Sequence, residues 1–229
     1  MNKISNIVIF ASGGGSNAKN IVSYFKNNDR IVVAGICTNN PSSGVVALAL
    51  QNNITRLVFT KTDLEEGVVV DKFLTEVNAD LIVLAGFLLK FPERILGDFN
   101  QKVINLHPAL LPKFGGKGMY GMRVHEAVIE EQEALSGITV HYVNEKYDDG
   151  AIIAQFTCDI QANDSPEHLQ NKIKDDSIKN ESGNYLLNYI KKDYNEGRKV
   201  YYELLDKVHG MYLGVSFTSG KKIENPTLA

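Results

Sequence analysis

Residues 6–17 read Asn-Ile-Val-Ile-Phe-Ala-Ser-Gly-Gly-Gly-Ser-Asn. The stretch Asn6–Ala11 is an apolar run without polar alternation, the pattern of a strand covered on both faces. Ser12-Gly13-Gly14-Gly15-Ser16-Asn17 follows at once, and helical periodicity then runs from Asn17 to Lys26. A buried strand that turns through glycines into a helix is the opening unit of an alternating strand–helix chain.

The unit repeats downstream. Ile31–Cys37 predicts a second strand followed by a helix over Ser42–Gln51. Ile54–Phe59 predicts a third strand, followed by one helix over Asp63–Val77 with Asp63 as its N-cap. Asp80–Ala85 and Val103–Leu106 complete the parallel-type strands. After the glycine-rich loop 115–121, Val124–Glu133 reads as a helix. Gly137–Val143 and Ala151–Cys158 read as strands joined by the acidic connection Asn144–Gly150, and Ser165–Lys174 as a further helix. The expected fold is α/β, a doubly wound and mostly parallel sheet. Beyond about residue 175 the composition shifts towards Lys, Asn, Asp and Tyr, so we expect a catalytic domain over 1–175 and a distinct segment over 176–229. That segment carries a helical pattern at Val200–Val208 and a turn signal at Ser219-Gly220.

Composition narrows the function classes. The chain has 229 residues, 44% hydrophobic and 22% charged, with a net charge of −3. No general attraction to nucleic acid follows from that balance. No apolar segment reaches the ~18 residues that span a bilayer, and the start lacks a signal-peptide pattern. The chain therefore reads as cytoplasmic. Cys37 and Cys158 are the only cysteines, too few for a disulfide framework and without zinc spacing, so they read as reduced core residues.

The loop Gly13, Gly14, Gly15, Ser16, Asn17 suits a phosphate, because a helix N-terminus offers free N–H groups and a partial positive charge. It equally suits a tight turn capped by Ser16. The spacing is neither that of a P-loop nor G-x-G-x-x-G, for position 18 is Ala. No acidic residue stands near Cys37 to hold a ribose, which favours a phosphate monoester over a dinucleotide.

A second constellation follows the fifth strand, in Asn105-Leu106-His107-Pro108-Ala109-Leu110-Leu111-Pro112. Two residues apart on a strand, Asn105 and His107 point to one face. An amide and an imidazole side by side can bind a carbonyl oxygen and handle a proton. Asp148-Asp149-Gly150 offers a carboxylate, if the connection after strand 137–143 folds back over the strand end. Acyl transfer to an amine requires that the amine lose a proton, that an oxyanion be stabilised and that the leaving nitrogen be protonated. An Asn, a His and an Asp serve all three without a metal or a covalent nucleophile. The plain alternatives are a core histidine and a surface Asp-Asp-Gly turn.

These motifs together carry a resemblance. IVIFASGGGSN, IVLAGFLLKFP, INLHPALLPKFGGKGMYGMRVHEAVI and SGITVHYVNEKYDDGAIIAQ, in this order across residues 6–170, resemble the phosphoribosylglycinamide formyltransferases, a folate-dependent formyltransferase family. The resemblance implies formyl transfer from 10-formyltetrahydrofolate to glycinamide ribonucleotide in purine biosynthesis, with small-molecule partners only and no metal. A homodimer is left open. It implies Asn105, His107 and Asp148 as the catalytic trio, with Asp149 falling where many relatives carry glycine. Gly13, Gly14, Gly15, Ser16 and Asn17 would hold the substrate phosphate, in a half spanning about 1–100. Folate would lie against Gly86, Phe87, Leu88, Leu89, Phe91, Val143 and Tyr147, with the catalytic half about 101–175. His141 and His125 match positions near the site and equally suit structural roles, and Lys113 is either near the phosphate or solvated. The family's Gln-x-x-Glu helix has no clean counterpart in IKDDSIKNESGNYLL, where Glu181 is the candidate. Other readings are a formyltransferase for a sugar nucleotide or methionyl-tRNA, a formyl-folate hydrolase, and a non-catalytic phosphate-binding module.

Overall fold

The computed structural model describes residues 5–174. Strands β1 (Ser5–Phe10), β2 (Ile31–Thr38), β3 (Thr55–Val58), β4 (Leu81–Leu84), β5 (Val103–His107), β6 (Leu135–Tyr142) and β7 (Ile152–Asp159) form one sheet in the order β3-β2-β1-β4-β5-β6-β7. The first five run parallel. β6 and β7 are antiparallel to their neighbours. The mostly parallel, doubly wound expectation holds. Strand order reverses between β1 and β4, and the crevice beyond strand C-termini at such a switch point is where α/β sheets place ligands.

The β1 run is apolar throughout because both of its faces are covered. Val8 and Phe10 enter a core cluster with Phe73, Leu74, Phe91 and Ile95, while Ile7 and Ile9 on the alternate face are also buried. Fully burying a side chain of this size contributes roughly 1.5–3 kcal/mol, which fixes the strand in place just before the glycine loop. A second cluster joins Val124, Val128, Leu169 and Ile173 to Ile138. It is built from helices α6 (Met122–Glu130) and α7 (Pro166–Lys174) packed on β6.

The remaining helices are α1 (Ser16–Phe25), α2 (Gly44–Gln51), α3 (Lys61–Glu66), α4 (Val68–Glu76) and α5 (Glu93–Asp98). The single helix expected over 63–77 is in fact two. Gly67 stands at φ 92°, a conformation that ends α3 and restarts the chain as α4. Asp63 is not the N-cap. Thr60 caps α3, accepting from the Asp63 N–H, and the Asp63 carboxylate accepts in return from the Thr60 N–H, a reciprocal capping box. The short α5 follows LAGFLLKFP and was hidden in its apolar run. Segment 176–229, with Glu181, the helical pattern at 200–208 and the turn at Ser219-Gly220, lies outside the described residues.

Candidate active site

β1 ends at the glycine loop, and Gly15 takes φ 75° as α1 begins. A Cβ there would stand 2.4 Å from Val45 Cγ1, so only glycine lets α2 lie so close beneath the loop. Ser43, the α2 N-cap, donates to the Gly13 carbonyl at 2.5 Å. Ser16 does not cap α1: no side chain does, so no side-chain cap occupies the N–H groups at the helix start. Ser12 ties this loop to the next. Its Oγ donates to Asn39 and accepts the Leu88 N–H, and its own N–H donates to the Gly86 carbonyl.

The catalytic candidates converge through strand register. Asn105 on β5 sits directly opposite His141 on β6, a cross-strand pair, and a register shift at Val140/His141 marks the spot. Asn105 Nδ2 reaches His141 Nε2 at 3.0 Å and donates to Asp148 Oδ1 at 3.4 Å. His141 Nδ1 lies 2.7 Å from the Tyr142 carbonyl, which can only accept, so that nitrogen carries the proton and Nε2 accepts from Asn105. Asp148 Oδ2 lies 3.5 Å from His107 Nδ1 and accepts the Gly116 N–H at 3.0 Å. Asp148 itself stands at φ 53°, in the left-handed region that Asp adopts more readily than most residues. Asp149 is turned away, paired with Asn144 and Lys146 in the open.

Burial holds the His107 imidazole below its ordinary value, with Asp148 and the Phe114 carbonyl restoring part of the loss and His141 adding to it. Burial raises Asp148, but contact with His141, the charge of His107 and the Gly116 N–H outweigh it, and the carboxyl ends below its usual range.

One cavity of about 370 Å³ joins these features. Gly13, Gly14, Gly15, Ser16 and Asn17 form one wall, and Asn105 and His107 another. Gly86, Phe87 and Leu88 also line it, as does His125, which is buried on α6. The candidate folate contacts divide. Phe87, Leu89 and Val143 pack side by side on the rim of one core cluster, while Leu88 and Tyr147 are exposed. Phe91 is interior: it is 3% exposed and edge-on to Phe10 and Phe87, so it supports the slot instead of lining it. Lys113 is not at the phosphate loop but pairs with Glu133 on the surface.

Sequence reasoning missed Tyr120 and Gln170, polar residues that line the same cavity. Tyr120 lies in the loop before α6, beneath the Arg123 guanidinium. Gln170 shares the α7 face that buries Leu169 and Ile173. Only the packing of α6 and α7 brings them to the site. Among the described residues no group of three His, Cys, Asp or Glu is placed to hold a metal, and no helix is long and apolar enough to cross a membrane.

The formyl transferase family profile matches residues 5–180. The chain belongs to the formyl transferase family. Within this family it is 39% identical over 175 residues to the chloroplastic phosphoribosylglycinamide formyltransferase of Arabidopsis thaliana, a match covering 73% of this chain and 59% of that protein. The phosphoribosylglycinamide formyltransferase of Bacillus subtilis is 34% identical, over 72% of this chain and 85% of its own length. The chain spans less than two thirds of the two plant chloroplastic relatives it matches. Its fold matches the crystal structure of glycinamide ribonucleotide transformylase 1 from Geobacillus kaustophilus with a TM-score of 0.67 at 30% identity, covering 74% of this chain and 90% of that one.

Proposed function

We propose that this protein transfers the formyl group of 10-formyltetrahydrofolate to the amine of 5'-phosphoribosylglycinamide, in the cytoplasm. The observation that carries the reading is the single cavity running from an uncapped helix start to Asn105 and His107. A phosphate seated at Gly13–Asn17 leaves the rest of a small acceptor extending towards the trio, as formyl transfer to a phosphorylated amine requires. Relatives at 39% and 34% identity bear the same activity in their names.

In this reading the acceptor nitrogen attacks the formyl carbon, a C–N bond forms, and the carbonyl oxygen becomes an oxyanion. Asn105 Nδ2, which at rest donates to His141 and to Asp148, turns the longer bond, the one to Asp148, onto that oxygen, an interaction worth about 10²–10³ in rate at comparable sites. Asp148 takes up the proton the amine sheds, directly or through water, and passes it to His107 Nδ1 beside it, whose positive charge then offsets the oxyanion. Collapse of the intermediate breaks the carbon–N10 bond, and the same proton goes to the leaving folate nitrogen. Folate lies between the 86–89 turn and Val143, where apolar side chains sit beside exposed backbone.

The test is an absorbance assay of the deformylated folate product, with a 10-formyl folate analogue and glycinamide ribonucleotide. Turnover that needs the ribonucleotide supports the reading. Turnover with a sugar-nucleotide amine alone transfers the chemistry to another acceptor. Turnover without any amine identifies a hydrolase, and none in any mixture leaves a binding module.

A further inference from the structure

Two walls of the cavity come from loops on either side of the switch point, the glycine loop after β1 and the 86–88 turn after β4. Pairing between β1 and β4 ends at Phe10 and Leu84, with one further bond from the Ala85 N–H to the Phe10 carbonyl. Beyond that point, among the described residues, two hydrogen bonds join the loops, and Ser12 makes both. Its N–H donates to the Gly86 carbonyl at 3.1 Å, and its Oγ accepts the Leu88 N–H at 3.1 Å. Ser12 is buried and does not itself line the cavity.

The hydroxyl is set for the second bond. It has one proton to give and donates it to Asn39 Oδ1 at 2.6 Å, which leaves its lone pairs for Leu88. Asn40 holds the same residue from the backbone side, its Nδ2 donating to the Ser12 carbonyl at 3.2 Å. The loop after β2 therefore braces Ser12, and Ser12 braces the turn. Side-chain packing gives no such support at the neighbouring glycines. A Cβ at Gly13, Gly14 or Gly86 would meet no atom within 4 Å, and Gly86 stands at φ 75°. The path of each wall there depends on its hydrogen bonds.

We propose that Ser12 is a positioning residue that couples the two substrate sites. A phosphate on the glycine loop holds the 86–88 turn in place for the folate, and folate on the turn holds the loop for the phosphate. The proposal rests on the formyl-transfer reading for the identity of the two ligands. Leu88 is exposed, and a hydrogen bond to an exposed turn gains little over one to water, so the resting turn exchanges between tied and untied forms. The ligand that binds first favours the tied form, and the second then has less ordering left to do. Linkage makes the effect reciprocal, so each ligand raises the affinity of the other by one shared factor.

Equilibrium binding to the full chain tests the coupling without turnover. The probes are the deformylated folate analogue and glycinamide ribonucleotide, each titrated by calorimetry alone and against a saturating amount of the other. Wild-type protein should bind each at least about fivefold more tightly when the other is present, the lower end of ordinary coupling. Ser12→Ala should cut that factor below about twofold, and so should Asn39→Ala, which frees the hydroxyl to turn away from Leu88. Asn39→Asp keeps the acceptor and should keep the factor. A merely structural role would weaken each ligand singly and leave the factor unchanged. Independent binding by the wild type, or a full factor in Ser12→Ala, overturns the proposal and leaves the formyl-transfer reading standing. If Ser12→Ala does not fold, a full factor in Asn39→Ala overturns it instead. A ribonucleotide that does not bind the wild type at all overturns both.

Discussion

The glycine loop after β1 and the glycine loop after β5 share a composition and differ in what their backbones touch. In the first, Gly13 and Gly14 face open space and α1 starts without a side-chain cap. In the second, the Phe114 carbonyl and the Gly116 N–H are already committed, one to His107 and the other to Asp148. Glycine permits close approach in both places, but in one the group proposed to approach is a substrate phosphate and in the other it is the side chains of His107 and Asp148. Glycine-rich sequence therefore signals proximity to something and does not say to what.

Variants sharpen the contrast. Around the second loop the effects should fall on kcat. Asn105→Ala removes the donor proposed for the formyl oxygen, and kcat should drop about 10²–10³-fold in steady-state assays. Asp148→Asn keeps the shape and removes the proton acceptor, with an expected loss of about 10²-fold. A near-normal rate for Asp148→Asn would take that residue out of the mechanism.

The first loop should respond through binding and stability. Gly15→Ala meets Val45 and a positive φ together, and should cost about 1–3 kcal/mol in denaturant unfolding. Gly13→Ala meets nothing, so its stability should stay within about 0.5 kcal/mol while the acceptor KM rises. Equal destabilisation by the two variants would break the distinction between an open wall and a supported one.

The smallest effect is in the pH dependence of stability. His107 titrates lower in the folded chain than the ~6.5 of an unfolded histidine. Between those two values the unfolded chain holds more protons, so stability rises with pH there. The His107 contribution is thus complete above about pH 6.5 and is lost as pH falls towards the folded value. Asp148 is depressed, so its contribution is present above about pH 3.9 and lost only as pH falls through its own lower value. His107→Asn should flatten the Tm–pH curve below about pH 6.5 and also shrink the loss below about pH 3.9, because the charge of His107 helps depress Asp148.

Much of this was legible from residue order. Continuous apolar runs at β1, β2 and β4 announced a sheet covered on both faces, and the i, i+2 spacing of Asn105 and His107 placed them on one side of β5. The helix over 63–77 was misread because its apolar period continues across Gly67, and only the backbone angle there reveals the break. Phe91 looked like a ligand contact because apolar residues at a strand end read alike whether they face a slot or the core.

Sequence alone determined the alternating architecture, the phosphate-suited loop and the residue types capable of acyl chemistry, because those depend on local periodicity and spacing. The tertiary structure set Asp148, the acid the resemblance implied, against His107, and brought Tyr120 and Gln170 to the same cavity. Such facts depend on strand register and helix packing between segments far apart in the chain, and no local pattern encodes them.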